Sequence, residues 1–415
     1  MQKPYTRIAI AVAAAVAAFG LAGCGGSDSP VAPSFTPFEI NFGLVAVDLN
    51  NDGRADVVTG RTLHQPTAPG EGGSLYTSLH NAGAATGYAA ATHVASGIEP
   101  LYLAAADLNG DGFRDIAAAS FDDSAVLVFL NSATTPGQWA APVLLPSPGV
   151  SQLAIADLNA DGRADIVAAD YAVNIFLQDP ATAGHFLAPI ADSAGGANWV
   201  AVGDLNHDGM PDLVVTDASG VHLQLHTAPA TGATFGTATT VFTQTPNFAF
   251  LGQNLVAIAD VDGDGYNDLL ITDPGPYGPT PPTVNYLRQD PANPGHFLAP
   301  VSFSIAQGQL AQSIAVVDLN ADGHPDIVVG DRYGVSVLLQ SATTAGSFAA
   351  ATTYSVPLGA YQLAVADVND DGLPDIVVTN STALTTTAGV QTTQPGVLLQ
   401  DAANHGSFKP LQNLP

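Results

Sequence analysis

From residue 38 onward the chain alternates short apolar runs with polar breaks rich in Gly, Asp, Asn and Pro. The runs are about five residues long, and none shows the i, i+3, i+4 spacing of an amphipathic helix. They predict strands joined by tight turns. Four kinds of run recur in a fixed order. The first alternates large and small side chains, as in QLAIA at 152–156 and QLAVA at 362–366. The second is continuously apolar, as in IVV at 327–329, the pattern of a strand covered on both faces. The third appears as VNIFL at 173–177 and VSVLL at 335–339. The fourth follows a Gly-x-Phe turn, as at Gly184, Gly295 and Gly346.

Between the first and second runs sits one nine-residue motif, present seven times. Position 1 is Asp48, Asp107, Asp157, Asp204, Asp260, Asp318 and Asp367. Position 3 is Asn50, Asn109, Asn159, Asn206, Asp262, Asn320 and Asn369. Position 5 is Asp52, Asp111, Asp161, Asp208, Asp264, Asp322 and Asp371, always followed by Gly. Position 9 is Asp56, Asp115, Asp165, Asp212, Asp268, Asp326 and Asp375. Successive motifs start 59, 50, 47, 56, 58 and 49 residues apart. A four-stranded unit repeated seven times predicts an all-β, seven-bladed propeller of four-stranded blades over residues 38–415. An open solenoid of the same units fits four strands per repeat less well. Two segments compete for the strand that completes the last blade: SFKP at 407–410 and its near copy SFTP at 34–37.

The motif is also chemistry. Side-chain oxygens at positions 1, 3, 5 and 9 surround a tight turn that Gly at position 6 permits. Position 7 varies freely (Arg54, Phe113, Arg163, Met210, Tyr266, His324, Leu373), as it does when only its backbone carbonyl is a ligand. Hard oxygen donors without His or Cys select calcium over transition metals, and magnesium demands a stricter octahedron with retained waters. The expectation is about seven calcium ions, one per loop. The match to an EF-hand stops early: position 12 is Thr59, Ala118, Ala168, Val215, Ile271, Val329 or Val378 instead of Glu, and a strand follows instead of a helix.

These units resemble the FG-GAP or VCBS repeats, the family that includes the propeller of integrin α subunits. The resemblance spans essentially residues 40–415 and implies a calcium loop between strands one and two of each blade. The units are shorter than the integrin form and lack its Phe-Gly and Gly-Ala-Pro signatures, so integrin-like partners are not implied.

Composition agrees. Of 37 acidic residues only Glu39, Glu71 and Glu99 are glutamates, a bias toward the short, turn-forming acid. A formal net charge of −28 excludes nucleic acid and anionic membrane surfaces as partners. The N-terminus reads as a targeting segment, with Lys3 and Arg7 ahead of an apolar run at 8–22. It ends in LAGC at 21–24, which resembles the lipobox of bacterial lipoproteins. This predicts a signal peptide at 1–23, lipidation of Cys24 and a flexible tether at 24–37. Gly25 after the Cys favours the outer membrane or cell surface over the inner membrane. Cys24 is the only cysteine, which excludes an intrachain disulfide.

A ligand is expected on the face opposite the loops. Three long connections lie there, at 61–73, 273–283 and 380–396. Five residues before each first Asp stand Gly43, Tyr102, Gln152, Trp199, Leu255, Ser313 and Gln362. With neighbours Gln312 and Tyr361, this channel-mouth ring offers Tyr102, Gln152, Trp199, Gln312, Tyr361 and Gln362 as candidates for a sugar or peptide. A second ring, Arg61, Ser120, Asp170, Asp217, Asp273, Asp331 and Asn380, reads as turn residues after strand two. No metalloprotease, nucleophile-elbow or phosphate-loop motif occurs, so the expectation is a non-enzymatic, monomeric module binding a protein or glycan. A hydrolase or lyase acting on polysaccharide at the channel mouth, and a scaffold without ligand, stand as alternatives.

Overall fold

Each Asp-rich turn folds the chain back on itself in one register. The residue before position 1 pairs with the Asp at position 9 in all seven repeats: Val47 with Asp56, Ala106 with Asp115, Ala156 with Asp165, Gly203 with Asp212, Ala259 with Asp268, Val317 with Asp326 and Ala366 with Asp375. The hydrophobic pattern and the turn thus specify the same hairpin. The computed structural model describes residues 38–415 apart from 65–72, 82–86, 122, 171, 193–195, 228–232, 244–254, 274–280, 306–310, 332, 381–384, 388–389, 393 and 415. The signal peptide, Cys24, the tether and most of the long connections fall outside the described residues.

Seven antiparallel four-stranded sheets stand in a ring. Blade one is built from Phe38–Val47, Asp56–His64, Gly73–Ser78 and Thr92–Ile98. Blade two uses Pro100–Ala106, Asp115–Ser120, Ala125–Phe129 and Val143–Pro146. Blade three uses Gln152–Ala156, Asp165–Ala169, Val173–Phe176 and Ile190–Asp192. Blades four to seven repeat the order, beginning at Trp199–Gly203, Val256–Ala259, Ala311–Val317 and Leu363–Ala366. Among the described residues there is no helix, and none long and apolar enough to cross a membrane.

The continuously apolar second strand has two buried faces because each blade packs between two others. In blade three, Ile166 and Ala168 enter a core shared with Ala117, Val126 and Val128 of blade two. Val167 and Ala169 point the other way, into a core with Val200, Leu213 and Val215 of blade four. Period-two alternation therefore divides one strand between two interfaces. Each fully buried Val, Leu or Ile contributes about 1.5–3 kcal/mol.

Among the described residues the four strands of every blade come from one stretch of chain, and only the blade-one sheet is extended, by two short strands from the blade-seven connection. Blade seven ends with Gln412–Asn413, which pairs with Val397 and Gly396. This corrects the expected strand at 407–410: Phe408 instead bridges Gln400, the same place that Phe186 and Phe297 take against Gln178 and Gln289. The strand begins four residues after Phe408 because that phenylalanine belongs to the Gly-x-Phe turn. The competing segment at 34–37 lies outside the described residues.

Closure rests on side chains and a small hairpin. Asn380, fully buried at the end of strand two of blade seven, accepts the Asn41 N–H at 3.2 Å and donates to the Asn41 carbonyl at 2.9 Å. Its amide ties the first strand of blade one to blade seven. Gln362 accepts the Leu44 N–H at 2.9 Å, and Arg54 pairs with Asp370 at 2.9 Å. The hairpin formed by Thr385–Thr387 and Val390–Thr392 lies parallel to the start of the first strand, matching Phe38 to Gln391.

Asn380→Ala removes the side-chain partner of the Asn41 N–H and carbonyl. Urea unfolding is expected to show a loss of about 2–3 kcal/mol, and a loss below about 0.5 kcal/mol would remove Asn380 from the closure.

Candidate metal centres

All seven loops share one hydrogen-bond frame. The position 1 carboxylate accepts the N–H of Gly at position 6, at 2.8 Å in loops one, three, four, six and seven and 2.9 Å in loops two and five. The position 3 oxygen accepts the N–H of position 5, and position 5 accepts that of position 7, as in the pairs Asp161–Asn159 at 3.0 Å and Arg163–Asp161 at 2.9 Å. Position 1 uses both oxygens, since Asp157 also accepts the Asp161 N–H at 3.1 Å, and these bonds wind the loop around the side-chain oxygens of positions 1, 3 and 5. Gly at position 6 holds φ of 81° to 89°, the left-handed region. Position 4 holds it too, at Asn51, Ala160, His207, Ala321 and Asp370, with φ of 57° to 61°. Gly110 and Gly263 hold it at 75° and 74°, so Gly, Asn, Asp or His at five of the seven positions was the available signal, with Ala160 and Ala321 the exceptions.

Position 9 does something different. Each of these aspartates is fully buried, and each carboxylate bridges two backbone N–H groups. One oxygen accepts from position 2 of its own loop, at distances from 2.8 Å for Leu108 and Leu205 to 3.2 Å for Val368. The other accepts from the residue two past the end of strand three: His80 at 2.6 Å, Asn131, His226, Gln340 and Gln400 at 2.7 Å, Gln178 and Gln289 at 2.8 Å. Burial pushes Asp115 up to about 7 and the other six up to about 6, against the pull of those N–H groups and with added repulsion from neighbouring loop acids. A cation in the loop is the natural counter-charge for such a carboxylate. In the fifth loop Asp260, Asp262 and Asp268 bring one oxygen each within 4.8 Å of the others. The other loops put Asn at position 3, whose amide oxygen is an equally hard donor. The donor sets fit calcium: side chains at 1, 3, 5 and 9 and the carbonyl at position 7.

The strand-three amides were not identified from the sequence. Asn131 donates to the Leu49 carbonyl of the preceding loop at 2.7 Å, Gln178 to Leu108 at 2.6 Å and Gln400 to Leu319 at 2.9 Å. Their own N–H groups hold position 9, so each amide couples two successive loops. An amide at this place in five repeats, with His80 and His226 in the other two, was the available signal.

The channel-mouth candidates take a different place from the one expected. Tyr102, Gln152, Trp199 and Gln362 do not form an open polar rim. Gln152 is buried and pairs with both backbone groups of Val200, at 2.8 and 3.1 Å. Trp199 donates to the Val256 carbonyl at 3.2 Å, and its ring meets Tyr102 edge-on at 5.5 Å. Gln362 reaches past blade one to pair with Leu103 of blade two. These side chains pin each inner strand to those of nearby blades because a polar group buried there must find a backbone partner. Gln312 and Tyr361 are half-buried, and Tyr361 packs on Phe42 at 4.8 Å. In the second ring, Asp170 caps its turn through the Ala172 N–H at 2.6 Å, and Asp331 does so through Tyr333 at 2.6 Å.

Two outcomes follow from the loop geometry. Ala160→Gly and Ala321→Gly are each expected to stabilise by about 0.5–1 kcal/mol in urea unfolding, since relief of left-handed strain exceeds the added chain entropy. Gly162→Ala reverses the sign. The raised position 9 pKa values mean that the folded, metal-stripped chain holds extra protons between about pH 4 and 7, so this stabilisation is complete at low pH and lost as pH rises through about 6 to 7. Its thermal midpoint is therefore expected to be higher at about pH 5 than at about pH 8. A midpoint that holds level or rises from about pH 5 to about pH 8 would show the position 9 carboxylates to be charged in the metal-free fold.

A model of the FG-GAP-like repeat matches residues 107–168, 157–215, 260–329 and 318–378, more than half of the chain. Among solved structures the chain is similar to an Agrocybe aegerita lectin described for specific recognition of non-reducing terminal N-acetylglucosamine. Identity is 19%, coverage 77% of this chain and 80% of that one, and the TM-score 0.49. It is similar to the V. cholerae biofilm matrix protein Bap1 at 12% identity, covering 84% of this chain and 85% of that one, with TM-score 0.42. A protein from Lactobacillus plantarum shares the fold at 14% identity, covering 86% of this chain and 95% of that one, with TM-score 0.52. With each matched window spanning two successive acidic loops of the ring, the chain belongs to the FG-GAP-like repeat family.

Proposed function

We propose that this protein is an extracytoplasmic interaction module, stabilised by about seven calcium ions and held at the outer membrane or cell surface by a lipid on Cys24, that binds a protein or glycan on the face opposite its acidic loops. The observation that carries the calcium half is the fully buried position 9 aspartate of every blade, set against two or three further carboxyl groups of its own loop. Seven ions would add +14 to a formal charge of −28. A loop with Kd near 10 μM in about 1 mM calcium gains roughly 2.7 kcal/mol, so seven together exceed the stability of an ordinary domain. The long connections at 61–73, 273–283 and 380–396 support the opposite face as the binding surface. The LAGC segment at 21–24 supports the anchor.

The test is thermal unfolding of the mature chain by circular dichroism, stripped of metal, then in about 1 mM calcium or magnesium. A calcium-specific rise of more than about 10 °C is expected, and equal midpoints would refute the metal reading. Glycan-array binding in calcium, before and after replacing residues 274–280 by a glycine-serine linker, tests the surface. Binding lost with the linker while the calcium response persists supports it.

A further inference from the structure

The fifth repeat departs from the other six at three places, and all three side chains meet at one loop. Position 3 is Asp262 where the others have Asn. The residue before the strand-three amide is Arg288, where the others have Leu79, Leu130, Leu177, Leu225, Leu339 and Leu399. Three residues before the same amide stands Tyr286, the only aromatic at that place.

The geometry joins them. The Arg288 guanidinium pairs through Nε with Asp262 and donates through an η nitrogen to Asp264 at 2.8 Å. It thereby bridges positions 3 and 5 of its own loop. The Tyr286 hydroxyl donates to the position 9 carboxylate of Asp268 at 2.9 Å. In loops two, three, four and six a milder contact exists: the Asn at position 3 donates to the Asp at position 5, at 2.9 to 3.4 Å. Asp262 has no N–H to give, and Arg288 supplies the donors instead. Packing follows the exchange. The leucines at this position lie under the Gly-x-Phe glycine of the next blade, as Leu130 does under Gly184 and Leu339 under Gly406. Under Gly346 the contact is Tyr286, which leaves Arg288 turned to its loop.

We propose that Arg288 sets the calcium affinity of the fifth loop by acting as a tethered counter-cation. It holds Asp262 and Asp264 when no ion is bound and must release both before calcium can use them. This inference rests on the reading that the loops bind calcium. Loop five has four carboxylates and its own neutralising charge, so it stays closed in low calcium and fills last. Filling it frees a guanidinium onto an otherwise acidic face, which makes loop five the part of the ring that responds to calcium concentration.

Hydrogen-exchange mass spectrometry on the mature chain reads each loop separately across a calcium titration. In the unmodified protein, peptides covering 260–268 are expected to be protected without calcium and to respond at higher calcium than the other loops. Arg288→Leu is expected to remove the calcium-free protection and to shift the fifth-loop midpoint about tenfold lower, since calcium no longer breaks two charge-assisted hydrogen bonds. The double variant Asp262→Asn with Arg288→Leu restores the composition of the other repeats, and its fifth loop is expected to respond together with its neighbours. A fifth-loop midpoint unchanged by both variants while the other loops respond overturns the role of Arg288 alone. No calcium response in any loop of the unmodified protein overturns the metal reading and this one with it.

Discussion

The structure depends on one carboxylate per blade. The position 9 aspartate opens strand two, accepts the position 2 N–H of its loop and accepts the N–H two residues past the end of strand three. One side chain therefore fixes the loop, the first hairpin and the turn into the fourth strand. Without it two buried N–H groups lose their partner, each a penalty of about 1–3 kcal/mol. Its burial also makes its own charge unfavourable, and so ties the fold to whatever cation the loop holds. The same residue is a ligand in the loop chemistry and a keystone in the backbone, which explains why Asp stands there seven times.

Much of this was legible in the sequence. The motif and its spacing carry the blade count, the hairpin and the strand order, because turn chemistry and period-two burial act over a few residues. Longer-range features were less visible. Asn131 and Gln178 act on loops of the preceding blade, and nothing in their local sequence distinguishes them from turn residues. Gln152, Trp199 and Gln362 were candidates for a ligand rim because amides and aromatics commonly line one; the crowding of seven inner strands turns them toward backbone groups of nearby blades. Asn380 was read as a turn residue. Its pairing with Asn41 depends on the first and last blades being neighbours, which only the closed ring makes true.

The interior and the loop face divide the work between apolar and polar forces. Between blades the contacts are almost wholly aliphatic and non-directional, as in the cores on either side of strand Asp165–Ala169. Such surfaces do not by themselves set the height of one blade against the next. The amides from Asn131, Gln178 and Gln400 to the preceding loops supply that register, because hydrogen bonds tolerate little sliding.

Because each blade is an unbroken segment, assembly can follow the order of the chain. A repeat has all four of its strands as soon as its last one is available, and docks on a neighbour already complete. The ends meet only once, when blade seven finds blade one, and the contacts that join them are made by residues some 340 positions apart. The circle is thus a stack that bends until its two faces touch. In such a molecule the slow step of folding belongs to that meeting, and the joint between blades seven and one is where a pulling force or a protease would first find it open.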